Sequence, residues 1–270
     1  MTEIIVDHFD LEQICDSGQC FRMRKKSEHL FEVIAGDRRL EVKQDGDHCC
    51  FDCTKEEYDA FWKEYFDLQE DYGKWIQMID PNDLYLTKAA QLGSGIRILK
   101  QDLWEMIVTF LISQQNNIVR IRRCIENICE AYGDKKKDKA GNTYYAFPGP
   151  EAFAGIGEDD LKACNLGYRS KYVVRTARMA VNAEIDFEKI EKSPYPEAKE
   201  ELMKLYGVGS KVADCICLFA LHQMEAFPKD THIRQVLRRH YPNGFPMDQY
   251  RGCQGVMQQY IFYQELKGDK

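Results

Sequence analysis

No stretch of about 18 consecutive apolar residues occurs in this 270-residue sequence, so we expect no membrane-spanning helix. The first residues, MTEIIVDHFDLEQ, are acidic and lack the apolar region of a secretory signal, so we expect no such signal. The Cys49-Cys50-x-x-Cys53 cluster lacks the second CxxC or His pair of common zinc sites. We interpret it as alternating strand residues, with a metal site as the alternative, and the 11 scattered cysteines as reduced thiols.

The sequence also has no excess of basic residues, because its net charge is −7. Taken whole, that charge argues against nucleic acid, but it is unevenly distributed. Residues 1–90 contain 21 acidic and 11 basic residues, whereas residues 91–270 contain 23 acidic and 26 basic residues. Phosphate binding requires a local positive face rather than a basic total. The basic runs at 120–123, 169–178 and 234–239 are therefore candidate nucleic-acid contacts, with solvated helix faces as the alternative.

Hydrophobic periodicity predicts an α+β fold of two domains without internal repeats. Residues 1–90 form a small N-terminal antiparallel β-sheet domain with a flanking helix, and residues 91–270 form an all-helical body. Short alternating segments between Gly and Asp turns predict strands at FRMRKK, HLFEVIAG, RRLEVKQDG and HCCFDC. Thr54 with Glu57 predicts a capping box that begins a helix running through Tyr65.

The C-terminal body reads as a series of helices. Asp102 lies near the start of an apolar helix, and Asn116 or Asn117 is expected to cap the next helix, which Gly133 ends. The segment KKKDKAGNT predicts a charged surface loop. Further helices are expected from Thr231 to His240 and from Met247 to about Leu266.

The most informative segment runs from Leu202 to Ile216. A helix is predicted to end at Tyr206, and a second helix to begin near Ser210, so that a helical hairpin covers about 202–221. Gly207 and Gly209 between them permit a tight turn with left-handed backbone geometry. Backbone N–H groups at the start of the second helix suit a phosphate.

Lys211 lies in the first turn of that second helix, and Asp230 follows 19 residues later, immediately before the segment THIRQVLRRH. The helix from Lys211 to Leu221 is roughly 16 Å long. The next eight residues span about 26 Å when extended, so the chain can return Asp230 to the side of Lys211. Two helix N-termini would then point at one cleft and favour a neutral, nucleophilic amine. The alternatives are a surface lysine and an aspartate that only caps its helix.

The string LYGVGSKVADCICLFAL, followed by FPKDTH, strongly resembles the signature of the helix-hairpin-helix (HhH-GPD) DNA glycosylases. The resemblance is closest to 8-oxoguanine DNA glycosylases of the animal type, and extends to SGQCFR near the start and ISQQNNIVRI in the middle. One departure is Tyr206, where the family usually has proline. The resemblance implies a bifunctional glycosylase and AP lyase of base excision repair. Lys211 is then the nucleophile that forms a Schiff base before β-elimination, and Asp230 stabilises positive charge on the sugar.

The resemblance also implies a pocket for a base flipped out of the helix. Phe262 would lie under the base, Cys215 would stack on its other face, and Gln258 would contact its Watson–Crick edge. Gln258 and Phe262 are four residues apart and share a helix face, which is equally typical of an ordinary amphipathic helix. The Gly18 carbonyl would accept a hydrogen bond from the N7–H of 8-oxoguanine, which guanine lacks.

Contacts to the rest of the DNA follow from the same resemblance. Tyr168 is implied as the wedge, Arg120 and Arg169 as readers of the estranged cytosine, and His232 as a phosphate contact. Gln115 stands where the family commonly has asparagine, so that strictness for cytosine is expected to change. The implied DNA-binding set is Gln115, Asn116, Asn117, Arg120, Tyr168, Arg169, Gly207, Gly209, Val212 and His232.

No cofactor is expected to be required, although the carbonyls of Met203, Leu205 and Val208 are implied ligands of a structural monovalent or divalent cation in the hairpin. An iron–sulfur cluster is not expected, because Cys253 is the only cysteine after Cys217. The implied partner is double-stranded DNA containing 8-oxoguanine, bound by a monomer with no membrane contact. The expected location is the cytoplasm or nucleoid of a prokaryote, or the nucleus of a eukaryote.

Three other functions remain open from the sequence. A related glycosylase could act on another lesion, although the iron–sulfur loop of endonuclease III-like enzymes is missing and a 3-methyladenine glycosylase lacks the lysine. A non-enzymatic DNA-binding module leaves Lys211, Asp230, Gln258 and Phe262 unexplained. A helical interaction protein without nucleic acid predicts no salt-dependent binding to DNA.

Overall fold

The computed structural model describes residues 1–268 and begins with a five-stranded antiparallel sheet in the order β1-β5-β4-β3-β2. The four predicted strands are confirmed, with ends shifted by a few residues, and residues 2–5 add an edge strand that was not predicted. The strands are β1 Thr2–Ile5, β2 Met23–Ser27, β3 Leu30–Ala35, β4 Arg38–Asp45 and β5 His48–Phe51. Cys49 is buried and Cys50 is half-buried, as the interpretation of alternating strand residues requires.

The predicted α+β fold is confirmed, since helices make up most of the chain after the sheet, but a short β-hairpin interrupts the body that was predicted to be all-helical. The helices are α1 Leu11–Asp16, α2 Lys55–Glu57, α3 Lys63–Tyr65, α4 Tyr72–Gln77, α5 Leu84–Leu92, α6 Leu103–Ser113, α7 Ile118–Tyr132, α8 Pro150–Ala154, α9 Ser170–Val181, α10 Phe187–Lys192, α11 Tyr195–Leu202, α12 Ser210–Phe219, α13 Thr231–His240 and α14 Gln254–Lys267. A π-helical turn, Tyr58–Trp62, joins α2 to α3, and short 3-10 turns cover Asp160–Cys164 and Gly167–Arg169. No helix among residues 1–268 combines the length and the apolarity that crossing a membrane requires.

Local capping explains where several helices begin. Thr54 and Glu57 form the predicted capping box, in which each side chain accepts from the other residue's backbone N–H. Asp102 caps α6 by accepting from the Glu105 N–H at 2.7 Å, and Asn117 rather than Asn116 caps α7. Gly133 ends α7, as predicted.

Two hydrophobic cores form, and the division between them lies before the predicted boundary at residue 90. The smaller core joins the sheet to the helical segment 55–66. The larger core contains Tyr72, Leu86 and Ala90 together with the C-terminal helices. Helices α4 and α5 therefore pack with the helical body, while the domain limits of 1–90 and 91–270 stay a prediction. The last two residues of the second range, 269 and 270, lie outside the described residues.

The segment KKKDKAGNT is not a loop, and that prediction is wrong. It forms a β-hairpin in which β6, Lys135–Lys137, pairs with β7, Thr143–Tyr145. Asp138 holds the turn by accepting from the backbone and side chain of Asn142, and it pairs with Arg39 of the N-terminal sheet at 2.5 Å. Asp138 therefore links the hairpin to a distant part of the chain, while Lys135, Lys137 and Lys139 are exposed.

Three further boundaries differ from the predictions. Residues 11–16 form α1 within the region predicted as strands, because the Asp10 side chain caps this helix by accepting from the Gln13 N–H. Helix α11 ends at Leu202 rather than Tyr206. Helix α14 begins at Gln254 rather than Met247, since turns occupy the residues before Cys253.

Candidate active site

Lys211 occupies the first turn of α12, which begins after Gly209 without any side-chain cap. Its Nζ lies 5.5 Å from the centroid of the Phe110 ring, which projects from α6. Burial raises the pKa of the neighbouring Cys215 thiol, and the Lys211 ammonium opposes that rise. A neutral, buried thiol and an aromatic ring therefore surround the amine.

Asp230 caps α13, as predicted, because its Oδ1 accepts from the Ile233 N–H at 2.8 Å. It lines the same cavity as Lys211. The ion pairs found within residues 1–268 include neither of these two residues. The cavity thus holds an amine and a carboxylate that no other side chain neutralises.

The cavity has a volume of about 50 Å³, compared with roughly 30 Å³ for one molecule of liquid water. It brings together all six residues that were predicted as catalytic or base-binding. The residues that line it are Ser17, Gly18, Phe110, Lys211, Cys215, Phe219, Pro228, Asp230, Gln258, Gln259 and Phe262. The enclosed space is therefore smaller than a purine.

Gly18 and Phe262 are in close contact in one wall of the cavity. The Phe262 ring is half-buried and lies 3.1 Å from the position that a Cβ on Gly18 would take. Gly18 has φ +75°, a conformation that favours glycine. The adjacent Gln19 fixes the loop, because its side chain donates to the Arg97 carbonyl and accepts from the Leu99 N–H, both at 2.9 Å.

Gln258 is buried, with 3% of its surface exposed, and both atoms of its amide have partners. Its Nε2 donates to the Pro228 carbonyl at 3.2 Å, and its Oε1 accepts from the Gln259 Nε2 at 3.0 Å. Sequence reasoning missed Gln259, Pro228 and Phe110. Gln259 could have been noticed as a second amide beside Gln258, whereas Phe110 carries no signal beyond an apolar helix.

The hairpin between α11 and α12 depends on Gly207 alone for left-handed geometry. Gly207 has φ +90°, and a Cβ there would lie 2.7 Å from the Tyr172 ring. The left-handed geometry predicted for Gly209 is wrong, because its φ of −98° and ψ of 176° are extended. Its role in DNA binding stays a prediction. Because glycine has no side chain, the first N–H groups of α12, which include that of the buried Val212, have no capping side chain.

Aromatic packing holds the hairpin where the family usually has proline. The Tyr206 ring lies 5.6 Å from that of Tyr172, and the Arg175 guanidinium lies 4.5 Å from its centroid. The Gly207 carbonyl accepts from the Gln114 side chain at 3.1 Å. Packing on both sides of the turn thus compensates for the missing ring of proline.

Arg169 differs from the other residues of the implied DNA-binding set. It is 3% exposed, and its guanidinium donates to the carbonyls of Gln114, Gln115 and Leu166. It therefore fixes the turn at Gln115, whose φ is +49°. Asparagine tolerates such a conformation better than glutamine does, which gives a physical reason for the asparagine that the family commonly has there.

The remaining polar side chains of the set are exposed or half-buried. Tyr168 is 46% exposed and donates to the Gln114 carbonyl at 3.3 Å. Arg120 is exposed and donates to the Asn165 carbonyl at 3.3 Å, and Asn117 is exposed. Asn116 is half-buried and donates to the Ile112 carbonyl. His232 is exposed, with its ring 6.3 Å from that of Phe262.

The carbonyls implied for a cation lie at the start of the hairpin turn. The Leu205 carbonyl accepts from the Val208 N–H at 3.1 Å, which leaves it a second lone pair. Within residues 1–268, no backbone N–H outside the helices and strands donates to the carbonyls of Met203 or Val208. The three carbonyls therefore have free lone pairs. No group of three His, Cys, Asp or Glu side chains with metal-ligand geometry is found among the described residues.

Comparison with known families matches two consecutive regions. Residues 3–107 match the family described as "8-oxoguanine DNA glycosylase, N-terminal domain". Residues 108–246 match the "HhH-GPD superfamily base excision DNA repair protein" family. The second match covers more than half of the chain.

Individual relatives agree with these matches. The chain is 36% identical over 178 residues to a Saccharomyces cerevisiae N-glycosylase/DNA lyase, an alignment that covers 62% of this chain and 46% of the yeast protein. It is 28% identical over 234 residues to an Arabidopsis thaliana N-glycosylase/DNA lyase, covering 82% of this chain and 63% of that protein. The matches thus span less than two thirds of either relative.

A solved structure covers nearly the whole chain. The 8-oxoguanine glycosylase/lyase of Clostridium acetobutylicum, in complex with double-stranded DNA containing cytosine opposite 8-oxoguanine, superposes with a TM-score of 0.89. It is 36% identical in sequence, and the match covers 96% of this chain and 92% of that one. The fold of this chain is thus that of an enzyme whose structure was solved with DNA bound.

Proposed function

Because the chain belongs to the HhH-GPD superfamily of base excision DNA repair proteins, we propose that it removes 8-oxoguanine from double-stranded DNA and then cleaves the strand. The observation that carries this proposal is the cavity in which Lys211, Asp230, Gly18, Cys215, Gln258 and Phe262 converge. The names of the relatives and of the similar solved structure, which describe a glycosylase and lyase, agree with it.

Recognition begins when the lesion is flipped out of the helix and the Phe262 ring moves away from Gly18. The base then lies between Phe262 and the neutral Cys215 thiol. The Gly18 carbonyl accepts from the N7–H of 8-oxoguanine. Guanine has an acceptor at N7 instead, so its lone pair would repel that of the Gly18 carbonyl oxygen and guanine is rejected.

Catalysis uses the amine of Lys211 as a nucleophile. The bond from Nζ to C1′ forms while the glycosidic bond breaks, and the bonding electrons leave with the base, which takes up a proton. Asp230 lies in the same cavity without an ion-pair partner and stabilises the positive charge that develops on the sugar. The nitrogen then loses a proton, and the C1′–O4′ bond breaks as a C=N bond forms, so that the sugar ring opens to a Schiff base with O4′ taking up a proton. The Schiff base acidifies the C2′ proton. When that proton is removed, its bonding electrons form a C2′–C3′ double bond and the 3′ phosphate leaves.

The opposite strand is read by the exposed residues around the cavity. Tyr168 fills the gap in the helix, and Arg120 donates to the estranged cytosine. Arg169 contributes indirectly, because its guanidinium already holds the turn that carries Gln115. The uncapped N–H groups of α12 and the exposed His232 contact phosphates. A structural cation at the carbonyls of Met203, Leu205 and Val208 would strengthen the hairpin, and the reaction requires no other cofactor.

The proposal is tested by incubating the protein with a duplex that contains one 8-oxoguanine opposite cytosine. We expect release of free 8-oxoguanine and a strand break on the 3′ side of the lesion. The same duplexes with adenine, guanine or thymine opposite the lesion measure the opposite-base preference. Release of 3-methyladenine or an oxidised pyrimidine from matched duplexes, without release of 8-oxoguanine, would replace the proposed substrate with another lesion.

A further inference from the structure

Gln259 is a buried amide to which the family resemblance assigns no role. It lines the cavity that holds Lys211 and Asp230, which we call the reaction cavity. It is 3% exposed and lines the cavity beside Gln258. Its Oε1 is buried and has no hydrogen-bond partner among residues 1–268. Buried acceptors without partners are uncommon in folded proteins because they lose hydration without replacement. An acceptor of this kind in a binding cavity points to a donor on the ligand.

The orientation of both amides follows from the Pro228 carbonyl, which is only an acceptor. Gln258 has to turn its Nε2 toward that carbonyl, and the two atoms are 3.2 Å apart. The Gln258 Oε1 is then left to accept, so Gln259 has to donate its Nε2, at 3.0 Å. The remaining atom of Gln259 is its Oε1. The chain of amides thus ends in an acceptor by necessity.

Three adjacent residues of the cavity lining therefore carry acceptors, namely the Pro228 carbonyl, the Gln258 Oε1 and the Gln259 Oε1. Each of the first two already receives one hydrogen bond and has one lone pair left. The Watson–Crick edge of a guanine-type base offers three donors, namely N1–H and the two N–H groups of its 2-amino group. An adenine-type base has an acceptor at N1 and no 2-amino group.

We propose that Gln259 is a further base-reading residue, whose Oε1 accepts a hydrogen bond from the 2-amino group of the flipped base. The inference rests on the proposed function and extends it from the oxidised edge of the base to the opposite edge. A lesion without the 2-amino group leaves one donor for three acceptors. The enzyme then selects guanine-type lesions with two adjacent residues of α14 instead of one.

A matched control lies on the same helix. Gln264 is also buried with an unpartnered Oε1, but it does not line the cavity. Gln259→Met and Gln264→Met both replace a buried amide by an apolar side chain of similar length. An effect on folding should therefore appear in both variants, whereas an effect on base reading should appear only in Gln259→Met.

The experiment compares excision of 8-oxoguanine with excision of 8-oxohypoxanthine, which lacks the 2-amino group, each opposite cytosine. The measured quantity is the ratio of the two kcat/KM values for the wild-type protein and the two variants. We expect Gln259→Met to lose roughly tenfold on 8-oxoguanine and little on 8-oxohypoxanthine, so that the ratio falls toward one. Gln264→Met should keep the wild-type ratio, and its melting temperature shows what loss of a buried amide costs.

An equal loss on both lesions in Gln259→Met, or no loss on either, would overturn the base-reading role. The same holds if Gln264→Met changes the ratio as much as Gln259→Met does. The wild-type protein separates this inference from the proposed function. If the wild-type protein releases neither base, the proposed function fails; if it releases 8-oxoguanine and the ratio does not respond to Gln259→Met, only this inference fails.

Discussion

Two cavities of this protein contain the same three types of side chain and differ in what surrounds them. A larger cavity of about 700 Å³, between the sheet and the helical body, is lined by Lys100, Asp102 and Phe61. The reaction cavity of about 50 Å³ is lined by Lys211, Asp230 and Phe262. In both, the aspartate caps a helix. Because both cavities contain these residue types, volume alone would favour the larger one as the active site.

The partners of these side chains separate the two cavities. Lys100 pairs with Glu64 at 3.3 Å, and the Arg38 guanidinium covers the Phe61 ring at 4.7 Å. Lys211 instead faces an aromatic ring and a neutral thiol, and Phe262 packs against Gly18, with no cation over its ring among the described residues. A nucleophile requires a free amine, and a base pocket requires a free aromatic face. The lack of ion-pair partners, rather than size, thus distinguishes the cavity of Lys211.

The largest expected effect is that of Lys211→Gln compared with Lys100→Gln. Glutamine removes the nucleophile, so we expect base release from 8-oxoguanine DNA to fall by at least about 10⁴-fold. DNA affinity should remain within a few fold, since the amide is similar in size. Single-turnover base release and a binding titration measure the two quantities. Retained base release in Lys211→Gln, or a comparable loss in Lys100→Gln, would remove the distinction between the cavities.

A smaller effect is expected for Asp230→Asn, with Asp102→Asn as its control. Asparagine caps a helix about as well as aspartate, so both variants should fold. Only Asp230→Asn removes a negative charge beside the developing sugar cation, and we expect its kcat to fall by roughly 10²-fold. Asp102→Asn should keep the wild-type kcat. If Asp230→Asn is as active as the wild-type protein, Asp230 serves only as a cap.

For the two phenylalanines we expect a change in selectivity rather than in general DNA binding. Phe262→Ala removes the ring under the flipped base and should weaken binding to the damaged duplex by roughly tenfold, as loss of one base–aromatic contact does. Affinity for an undamaged duplex should change little. Phe61→Ala should leave the ratio of the two affinities at its wild-type value. Equal weakening on both duplexes in Phe262→Ala would refute the pocket role.

The smallest effect concerns the buried thiols, which lie in both parts of the molecule. Burial raises the pKa of Cys20 to about 11 and that of Cys49 to about 12, above the usual value of 9.0, and raises that of Cys215 as well. The unfolded chain therefore loses thiol protons first as the pH increases. The free energy of unfolding should be independent of these groups below pH 9 and fall between about pH 9 and 12. Denaturant unfolding at pH 8 and pH 10 measures this fall, and an equal stability at both would contradict it.

The sequence placed Lys211 and Asp230 at one cavity because both lie within a continuous motif whose helices have local signals. Capping by Asp102, Asn117 and Asp230 was likewise readable, since it depends on residues three positions away. Long-range contacts were not readable. The hairpin at KKKDKAGNT depends on Arg39, which lies about 100 residues earlier, and its charges resemble those of a solvated loop. Gly209 was assigned a left-handed conformation because composition does not reveal which glycine of a pair needs it.

Burial is the second property that the sequence did not reveal. Arg169 was predicted to read a base, yet its guanidinium is surrounded by backbone carbonyls of the loop 114–115. Gln259 was not predicted at all. Nearly the whole of α14 is buried, so its sequence has no polar face and apolar face that would show which glutamine lines a cavity. In both cases the role depends on which polar atoms already have partners, and that requires the packed structure.

The role of Lys211 as the nucleophile is tested most directly by sodium borohydride trapping of the protein on a duplex with one 8-oxoguanine opposite cytosine, beside an undamaged duplex. We expect a covalent adduct on the damaged duplex alone, which peptide mapping assigns to Lys211. Release of free base without any adduct would contradict the lysine chemistry. An adduct that maps to another lysine, such as Lys100, would contradict the choice of cavity.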